Sequence, residues 1–208
     1  MRIRKSKIAI LLALVVTLIA SSMMVSFAAT DMPTKKMTVY NDVIKSGKYA
    51  YCATGKGIYR VNLKNNRFKR ILKTNTTWLP PVAMKLYKGY IYYCIGDSVN
   101  IAFYRVKTDG THKKSLGSVC DYAISDGKIF YTRHDYDYDK EEEIILYRKM
   151  TLTGTNKKKS SYNVYNAIKR SNVSGYLIKH VSSSSGKGTD YLVKPNSKKI
   201  KLCSYTED

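Results

Sequence analysis

The sequence predicts an all-β, β-propeller-like fold of about four four-stranded repeats, each roughly 42 residues long. Two independent sets of residues recur at this period. The first is a glycine followed by a short apolar or aromatic run: GKYAYC at 47–52, GYIYYC at 89–94, GKIFYT at 127–132 and GYLIKH at 175–180. The second is a tyrosine near the middle of each repeat: YRV at 59–61, YRV at 104–106, YRK at 147–149 and YLV at 191–193. Because both sets give the same period, internal repetition explains the pattern better than chance.

Each repeat contains four short segments of strand-like composition. A half-apolar segment precedes the glycine, and the aromatic run and the tyrosine segment follow it. A polar turn then leads into a basic stretch: LKNNRFKRIL, KTDGTHKKSL, TLTGTNKKKS and KPNSKKIKL in the four repeats. Runs of four to six residues rich in Tyr, Ile and Val and bounded by Gly, Asn and Asp indicate β-strands joined by tight turns. The TDGT sequence at 108–111 is itself a hairpin signal.

The aromatic run YKGYIYYC at 87–94 predicts how neighbouring sheets pack. Successive side chains of a strand point to opposite faces. We therefore expect its tyrosines to lie between the second sheet and the sheets on either side. Aligning the glycines places Cys52 and Cys94 at equivalent positions, so we expect them to be small buried hydrophobes rather than a disulfide pair. With Cys120 and Cys203 the four cysteines could pair in three ways, and no CxxC motif indicates a metal site.

The first 28 residues have the parts of a secretory signal peptide. Residues 8–20 are apolar apart from Thr17, and Ser26 and Ala28 place small residues at the −3 and −1 positions of a cleavage site. We expect cleavage after Ala28 and a secreted or extracellular protein, with a retained anchor as the alternative because residues 8–29 could span a bilayer. Cleavage would remove four basic residues and no acidic one, which lowers the net charge from +22 to +18. The four are Arg2, Arg4, Lys5 and Lys7.

The repeat pattern resembles the bacterial secreted relatives of the β-propeller in low-density-lipoprotein-receptor-related proteins, which are typically described as domains of unknown function. The resemblance covers residues 35–203 and is best in the second repeat. It rests there on Gly89, Tyr92, Tyr93, Tyr104, Arg105, Asp109 and Gly110. What it implies is a propeller with a binding or scaffolding role, not a catalytic site.

The chain departs from that family in three places. Lys179 and His180 replace the aromatic end of the fourth glycine run, Leu192 replaces the arginine, and Trp78 does not match the family's Tyr-Trp-Thr-Asp box. Six blades are usual in the family, whereas this chain has room for four. We expect either a small closed ring, in which residues 35–39 add an outer strand to the last blade, or an open fragment whose edges need a partner or a second copy, as in a homodimer.

An acidic stretch, HDYDYDKEEE at 134–143, lies between two predicted strands of the third repeat. Asp135, Asp137 and Asp139 are spaced like the start of a calcium loop. Lys140 stands where that loop needs glycine, however, and Leu146 stands where it needs glutamate. These aspartates are therefore weak metal candidates, and a solvated acidic loop is the simpler interpretation.

Basic residues cluster in the last predicted strand of every repeat. In a propeller this strand is the outer edge of the blade, so repetition predicts a basic rim. Lysines on an edge strand also prevent edge-to-edge aggregation, but that purpose needs few of them. The rim consists of Lys69, Arg70, Lys113, Lys114, Lys157, Lys158, Lys159, Lys198, Lys199 and Lys201.

The sequence favours a secreted, non-catalytic binding or scaffolding propeller at the cell envelope. The net charge predicts attraction to an anionic cell-wall polymer, and an extracellular protein is the other expected partner. A secreted location argues against nucleic acid. We expect no cofactor. The alternative is an extracellular polysaccharide-active hydrolase or lyase that uses the carboxylates of the acidic stretch.

Overall fold

A computed structural model describes residues 43–74, 80–162, 164, 176–182 and 187–206. Within these ranges the regular structure is β-strand apart from a single 3₁₀ residue, which confirms the all-β prediction. No helix in the described part of the chain is long and apolar enough to cross a membrane. The predicted signal peptide, Trp78 and the proposed N-terminal strand at 35–39 lie outside the described residues.

The described strands form four antiparallel sheets, each built from strands that are consecutive in the chain. The first sheet contains β1 (Val43–Ser46), β2 (Tyr49–Thr54), β3 (Gly57–Asn62) and β4 (Phe68–Lys73). The second contains β5 (Val82–Tyr87), β6 (Tyr90–Ile95), β7 (Ile101–Lys107) and β8 (Lys114–Val119). The third contains β9 (Asp121–Ser125), β10 (Lys128–Asp137), β11 (Glu142–Thr151) and β12 (Lys158–Lys159).

The fourth sheet shows three strands in the described part of the chain. They are β13 (Leu177–Ser182), β14 (Lys187–Val193) and β15 (Lys199–Thr206). The segment predicted as its first strand, YNAIKRS at 165–171, lies outside the described residues. β15 pairs with β14 as β4 pairs with β3.

Alternating side chains join the sheets face to face, as the aromatic run predicted. On β6, Ile91 and Tyr93 pack into a buried cluster with the first sheet, whereas Tyr92 and Cys94 pack into a second cluster with the third sheet. All four side chains are buried. Burial of a large aromatic or aliphatic side chain stabilises a fold by about 1.5–3 kcal/mol, so these two clusters hold the three sheets together.

The fourth sheet packs against the first, so the described sheets stack in the order fourth, first, second, third. Leu192 and Ile200 of the fourth sheet share a buried cluster with Ala50 and Cys52 on the face of the first sheet that points away from the second. The first and second sheets therefore each pack against one neighbour through one face and against another neighbour through the opposite face. The core clusters of the described residues thus join the fourth sheet to the first, the first to the second and the second to the third.

The structure corrects the glycine alignment by one residue. Gly47 is the first residue of the two-residue turn between β1 and β2, whereas Gly89 and Gly127 are the second residues of the equivalent turns. In those two turns both residues have positive φ, as in type I′ turns, with Lys88 and Asp126 in the first position. Only Gly47 has positive φ in the first turn, as in a type II′ turn, which places its glycine first.

The predicted equivalence of Cys52 and Cys94 is therefore wrong. Counting from the turns, Cys52 matches Tyr93 and faces the fourth sheet, whereas Cys94 faces the third. The expectation that both are buried, unpaired thiols is confirmed, and burial raises the pKa of each.

The tyrosine alignment also shifts in the third sheet. Tyr104 pairs with Tyr93, and the residue that pairs with the matching Tyr131 is Arg148, not Tyr147. Lys149 is consequently the structural equivalent of Arg105.

Candidate functional site at one end of the sheets

In each of the first three sheets, the turn after the first strand and the turn after the third strand lie at the same end. The Leu63 amide donates to the Lys48 carbonyl at 2.9 Å, and the Thr108 amide donates to the Gly89 carbonyl at 3.1 Å. In the first and second sheets these bonds tie the turn after the third strand to the turn after the first strand. We call this end of the molecule, with the cations on its turns and adjoining strands, the basic end.

All ten basic residues predicted for the rim are exposed, and all belong to the basic end. They lie in the first part of the last strand of a sheet (β4, β8, β12 or β15) or in the turn that leads into it. The prediction of a basic rim therefore needs one refinement. The charge is gathered at one end of the outer strands because each strand begins there, rather than spread along the whole edge.

Tyrosines are interleaved with the cations of the basic end. Six cation–tyrosine contacts occur there, with distances from the charge to the ring centroid of 4.5–6.0 Å. Such contacts contribute about 0.5–1 kcal/mol each at exposed sites and hold long basic side chains in place. The pairs are Lys45–Tyr176, Lys48–Tyr49, Arg60–Tyr49, Lys88–Tyr87, Arg105–Tyr90 and Lys113–Tyr104.

Two of these cations are arginines at equivalent positions, and each joins its own sheet to the next. The guanidinium carbon of Arg105 lies 4.5 Å from the centre of the Tyr90 ring, and its Nη1 donates to the Leu152 carbonyl at 3.1 Å. The Tyr92 hydroxyl donates to the same carbonyl at 3.3 Å. Burial raises the pKa of Tyr92, although its hydrogen bond with Arg105 opposes that shift.

Arg60 repeats this arrangement in the first sheet. Its guanidinium carbon lies 4.9 Å from the centre of the Tyr49 ring, and its Nη1 lies 3.5 Å from the Thr108 carbonyl oxygen. Burial likewise raises the pKa of Tyr51, which corresponds to Tyr92, and a hydrogen bond with Thr108 opposes the shift.

The strand register places like charges directly opposite each other at the basic end. Arg60 pairs with Lys69, Arg105 with Lys114 and Lys149 with Lys158. Side chains at directly opposite positions have Cβ atoms about 4.5–5.5 Å apart, and like charges there destabilise the pairing. The fourth sheet differs, because the matching pair is Leu192 with Ile200.

Carboxylates are scarce at the basic end. Among the described acidic residues, Asp109 and Asp126 alone belong to its turns. Hydrogen bonds from the Thr111 hydroxyl and amide hold the pKa of Asp109 below its usual value, so this carboxylate stabilises its own turn. The three ion pairs among the described residues all lie elsewhere, and none of them includes a rim cation.

The acidic stretch is a strand extension rather than the loop that was predicted. β9 pairs with β10 only as far as Thr132, and β10 and β11 continue their own pairing to Asp137 and Glu142. We call residues 133–146 the acidic arm; it projects from the end opposite the basic end. Asn100 secures its base, since the Asn100 side-chain amide donates to the His134 carbonyl at 3.0 Å and its Oδ1 accepts the His134 amide at 3.1 Å.

The three candidate metal ligands do not form a common site with other acidic side chains. In the described residues no group of three or more His, Cys, Asp or Glu side chains is placed to hold a metal ion. The Asp135 carboxylate accepts the adjacent Tyr136 amide at 3.0 Å, and that of Asp137 accepts the Asp139 amide at 3.1 Å and lies 3.5 Å from the Lys140 ammonium. These contacts are those of a hydrogen-bonded hairpin tip.

The sequence prediction missed the tyrosine and arginine components of the basic end. The lysine runs marked the outer strands, but the tyrosines of the run at 87–94, Tyr90 among them, were expected to pack between sheets. The available signal was the repeated Tyr-Arg-Val. Its arginine, at positions 60 and 105, alternates with apolar neighbours in both repeats and therefore lies on one constant face of its sheet.

No family model matches the chain, and no curated protein matches it. Solved structures to which it is similar include Saccharomyces cerevisiae Dbp5 bound to Nup159 and Gle1, with 13% identity over 84% of this chain and 42% of that one and a TM-score of 0.43. A protein described as a conserved lipoprotein of Clostridium novyi shows 19% identity over 57% of this chain and 90% of that one, with a TM-score of 0.38.

A nidogen–laminin complex is a third match, with 14% identity over 80% of this chain and 64% of that one and a TM-score of 0.38. The chain spans about two fifths of the length of the first two chains it matches, 42% of one and 40% of the other. None of these matches bears on what the basic end binds.

Proposed function

We propose that this chain is a secreted, non-catalytic binding or scaffolding protein of the cell envelope, and that its basic end associates with an anionic surface polymer. One observation carries the proposal. Ten exposed cations, predicted from the lysine runs, lie together at one end of the sheets, and none of them takes part in an ion pair within the described residues.

The separation of positive and negative charge along the molecule supports binding through the basic end. The basic end holds the rim cations, whereas the acidic arm projects from the opposite end and pairs with its own Lys140. A surface of one sign attracts a polyanion and raises its local concentration. The edge-protection role of lysines predicts exposed cations on edge strands, but it does not require their concentration at one end.

Sedimentation with purified Gram-positive cell walls across a salt series tests the proposal. Binding that weakens as salt rises is expected, because the Debye length falls from about 10 Å at 0.1 M to about 3 Å at 1 M. If the protein stays in the supernatant at low salt, the proposal is wrong. The lysines then serve only to keep the protein soluble and to prevent aggregation through edge strands.

Alanine replacement at Asp135, Asp137 and Asp139 is the matched control. These residues lie on the acidic arm, so wall binding is expected to persist. The same variant addresses the hydrolase or lyase alternative. Wall material would be degraded by the unaltered chain and not by the variant only if the arm carboxylates were catalytic.

A further inference from the structure

We infer that the basic end holds two phosphodiester cradles on consecutive sheets, each made by an arginine and the lysine directly opposite it. The cradles pair Arg60 with Lys69 in the first sheet and Arg105 with Lys114 in the second. This inference rests on the proposed function and specifies it: the polymer is a repeating phosphodiester, and two particular sites bind it rather than the whole basic surface.

The first argument is that each pair of like charges destabilises the sheet when no anion is bound. Like charges directly opposite across two strands destabilise the pairing by a few tenths of a kcal/mol to about 1 kcal/mol. The described ion pairs include no carboxylate for any of these four side chains. An anion placed between the two cations converts one repulsion into two attractions.

The second argument is that both arginines are held in position before any ligand arrives. Each is stacked on a tyrosine and bonded to a main-chain carbonyl of the next sheet. A guanidinium has five N–H donors, so one bond to a carbonyl leaves donors for a second acceptor. Its planar fork suits phosphate oxygens, and the opposing lysine adds a compact point charge.

The third argument is that the same sheet position lacks a complete cradle elsewhere. In the third sheet Lys149 faces Lys158, so a lysine replaces the arginine, and Lys128 stands where the second sheet has Tyr90. In the fourth sheet the pair is Leu192 and Ile200. The complete cradles therefore lie on adjacent sheets, which suits a ligand that presents phosphates repeatedly along one chain.

Equilibrium binding of soluble poly(glycerol phosphate) to the full chain, compared between two double variants, tests the inference. Lys69→Gln with Lys114→Gln removes one cation from each cradle. Lys73→Gln with Arg133→Gln removes two exposed cations from strand positions outside the basic end, opposite Gly57 and Leu146. The first variant is expected to bind about tenfold or more weakly and the second within about threefold of the unaltered chain, because charge-assisted bonds are lost only in the first.

The outcomes separate the inference from the function on which it rests. Equal losses in the two double variants would show that diffuse charge binds the polymer; the cradles would be overturned and the proposed function would stand. No binding by the unaltered chain at low salt would overturn both. Since the substitutions are on exposed strand positions, an unchanged unfolding midpoint verifies that both variants are folded.

Two further probes identify the source of the phosphate. Vesicles containing phosphatidylglycerol present the same phosphodiester on a membrane, and a selective loss with the Lys69 and Lys114 variant on vesicles alone assigns the cradles to lipid headgroups. Polygalacturonate presents carboxylates instead. Equally tight and equally selective binding of polygalacturonate would overturn the assignment to phosphodiesters.

Discussion

The guanidinium of Arg105 in the second sheet donates to the main-chain carbonyl of Leu152 in the third, with 3.1 Å between nitrogen and oxygen. Leu152 is the first residue after β11, the third strand of its sheet. The bond therefore fastens the turn end of one sheet to the turn end of the next, beside the buried cluster that contains Tyr92.

The same carbonyl position is used where the other described sheets meet. Arg60 reaches Thr108, the first residue after β7, and Lys194 of the fourth sheet donates to Leu63, the first residue after β3, at 3.3 Å. Lys194 supplies the cation because Leu192 occupies the arginine position. One type of contact, from a cation to a carbonyl of the following turn, thus recurs at three junctions between sheets.

Replacement of Arg105 by methionine is expected to lower the free energy of unfolding by about 2 kcal/mol. The change removes a charge-assisted hydrogen bond and a cation–π contact while it keeps a long apolar side chain. Urea unfolding at neutral pH measures the difference. Arg133→Met, on the exposed acidic arm, is the control and is expected to change stability by less than about 0.5 kcal/mol. Equal effects of the two substitutions would contradict the role of Arg105 in joining the second and third sheets.

The period and the alternation of the sequence predicted most of the fold, because both follow directly from strand geometry. Tyr92 and Tyr93 pack against different neighbours, as a period of two requires. The glycine alignment failed by one residue because glycine takes different positions in different turn types. The sequence around Gly47 does not indicate which turn type the glycine belongs to. The length of the acidic arm was also hidden, since charged residues are compatible with both a loop and a solvated strand extension.

The candidate site was predicted less completely than the fold. Lysine runs located the outer strands, but strand direction decides which end of each strand the lysines occupy, and this required the register. The pairing of Arg105 with Lys114 lies between the turn after β7 and a register shift at Phe103 and Tyr104, so it depends on the length of that turn, which the TDGT signal alone does not predict.

Replacement of Lys114 by glutamate is expected to stabilise the unliganded chain. The substitution turns a like-charge pair with Arg105 into an opposite-charge pair, which contributes roughly 0.5–1 kcal/mol. Thermal or urea unfolding at low ionic strength measures the gain, and the gain is expected to shrink at 1 M salt. Lys201→Glu, opposite Tyr191, is the control and is expected to have little effect. A gain of the same size in Lys201→Glu would show a general relief of net positive charge instead.

Lys85 is expected to make stability depend on pH from about 7 up to the usual lysine pKa of 10.5. The side chain is only 1% exposed, and burial lowers its pKa to about 7, with the Asp121 carboxylate opposing the shift. Between pH 7 and the usual lysine pKa the unfolded chain binds the proton that the folded chain has released. Stability therefore rises with pH in this window and is lower, by a constant amount, below it.

Lys85→Met tests this account, because methionine keeps the length of the side chain and carries no charge. The variant is expected to be more stable than the unaltered chain at pH 7 by a few kcal/mol, and the difference should narrow as the pH approaches 9. Urea unfolding at half-unit pH steps gives both curves. Parallel curves for the two proteins would mean that the proton on Lys85 is not linked to folding.

Gly110→Ala is expected to loosen the junction between the first and second sheets. A Cβ atom at Gly110 would lie 2.5 Å from the Ile71 carbonyl oxygen and 3.2 Å from the Ile71 Cα, both main-chain atoms of the first sheet. Gly89, in the same sheet, also has positive φ but has nothing within 4 Å of such a Cβ. Gly89→Ala should therefore cost about 1–2 kcal/mol from backbone conformation alone, whereas Gly110→Ala adds about 1–3 kcal/mol of steric strain.

The pair of glycine variants separates backbone strain from contact between sheets, and urea unfolding midpoints measure both. If the two variants lose the same stability, the second sheet can move away from Ile71 at no cost, and the close approach contributes nothing to the junction. If Gly110→Ala is less stable than Gly89→Ala by the expected margin, the turn after β7 is held against β4. Arg60 must then reach the Thr108 carbonyl across a fixed gap, which is the geometry that positions the first cradle.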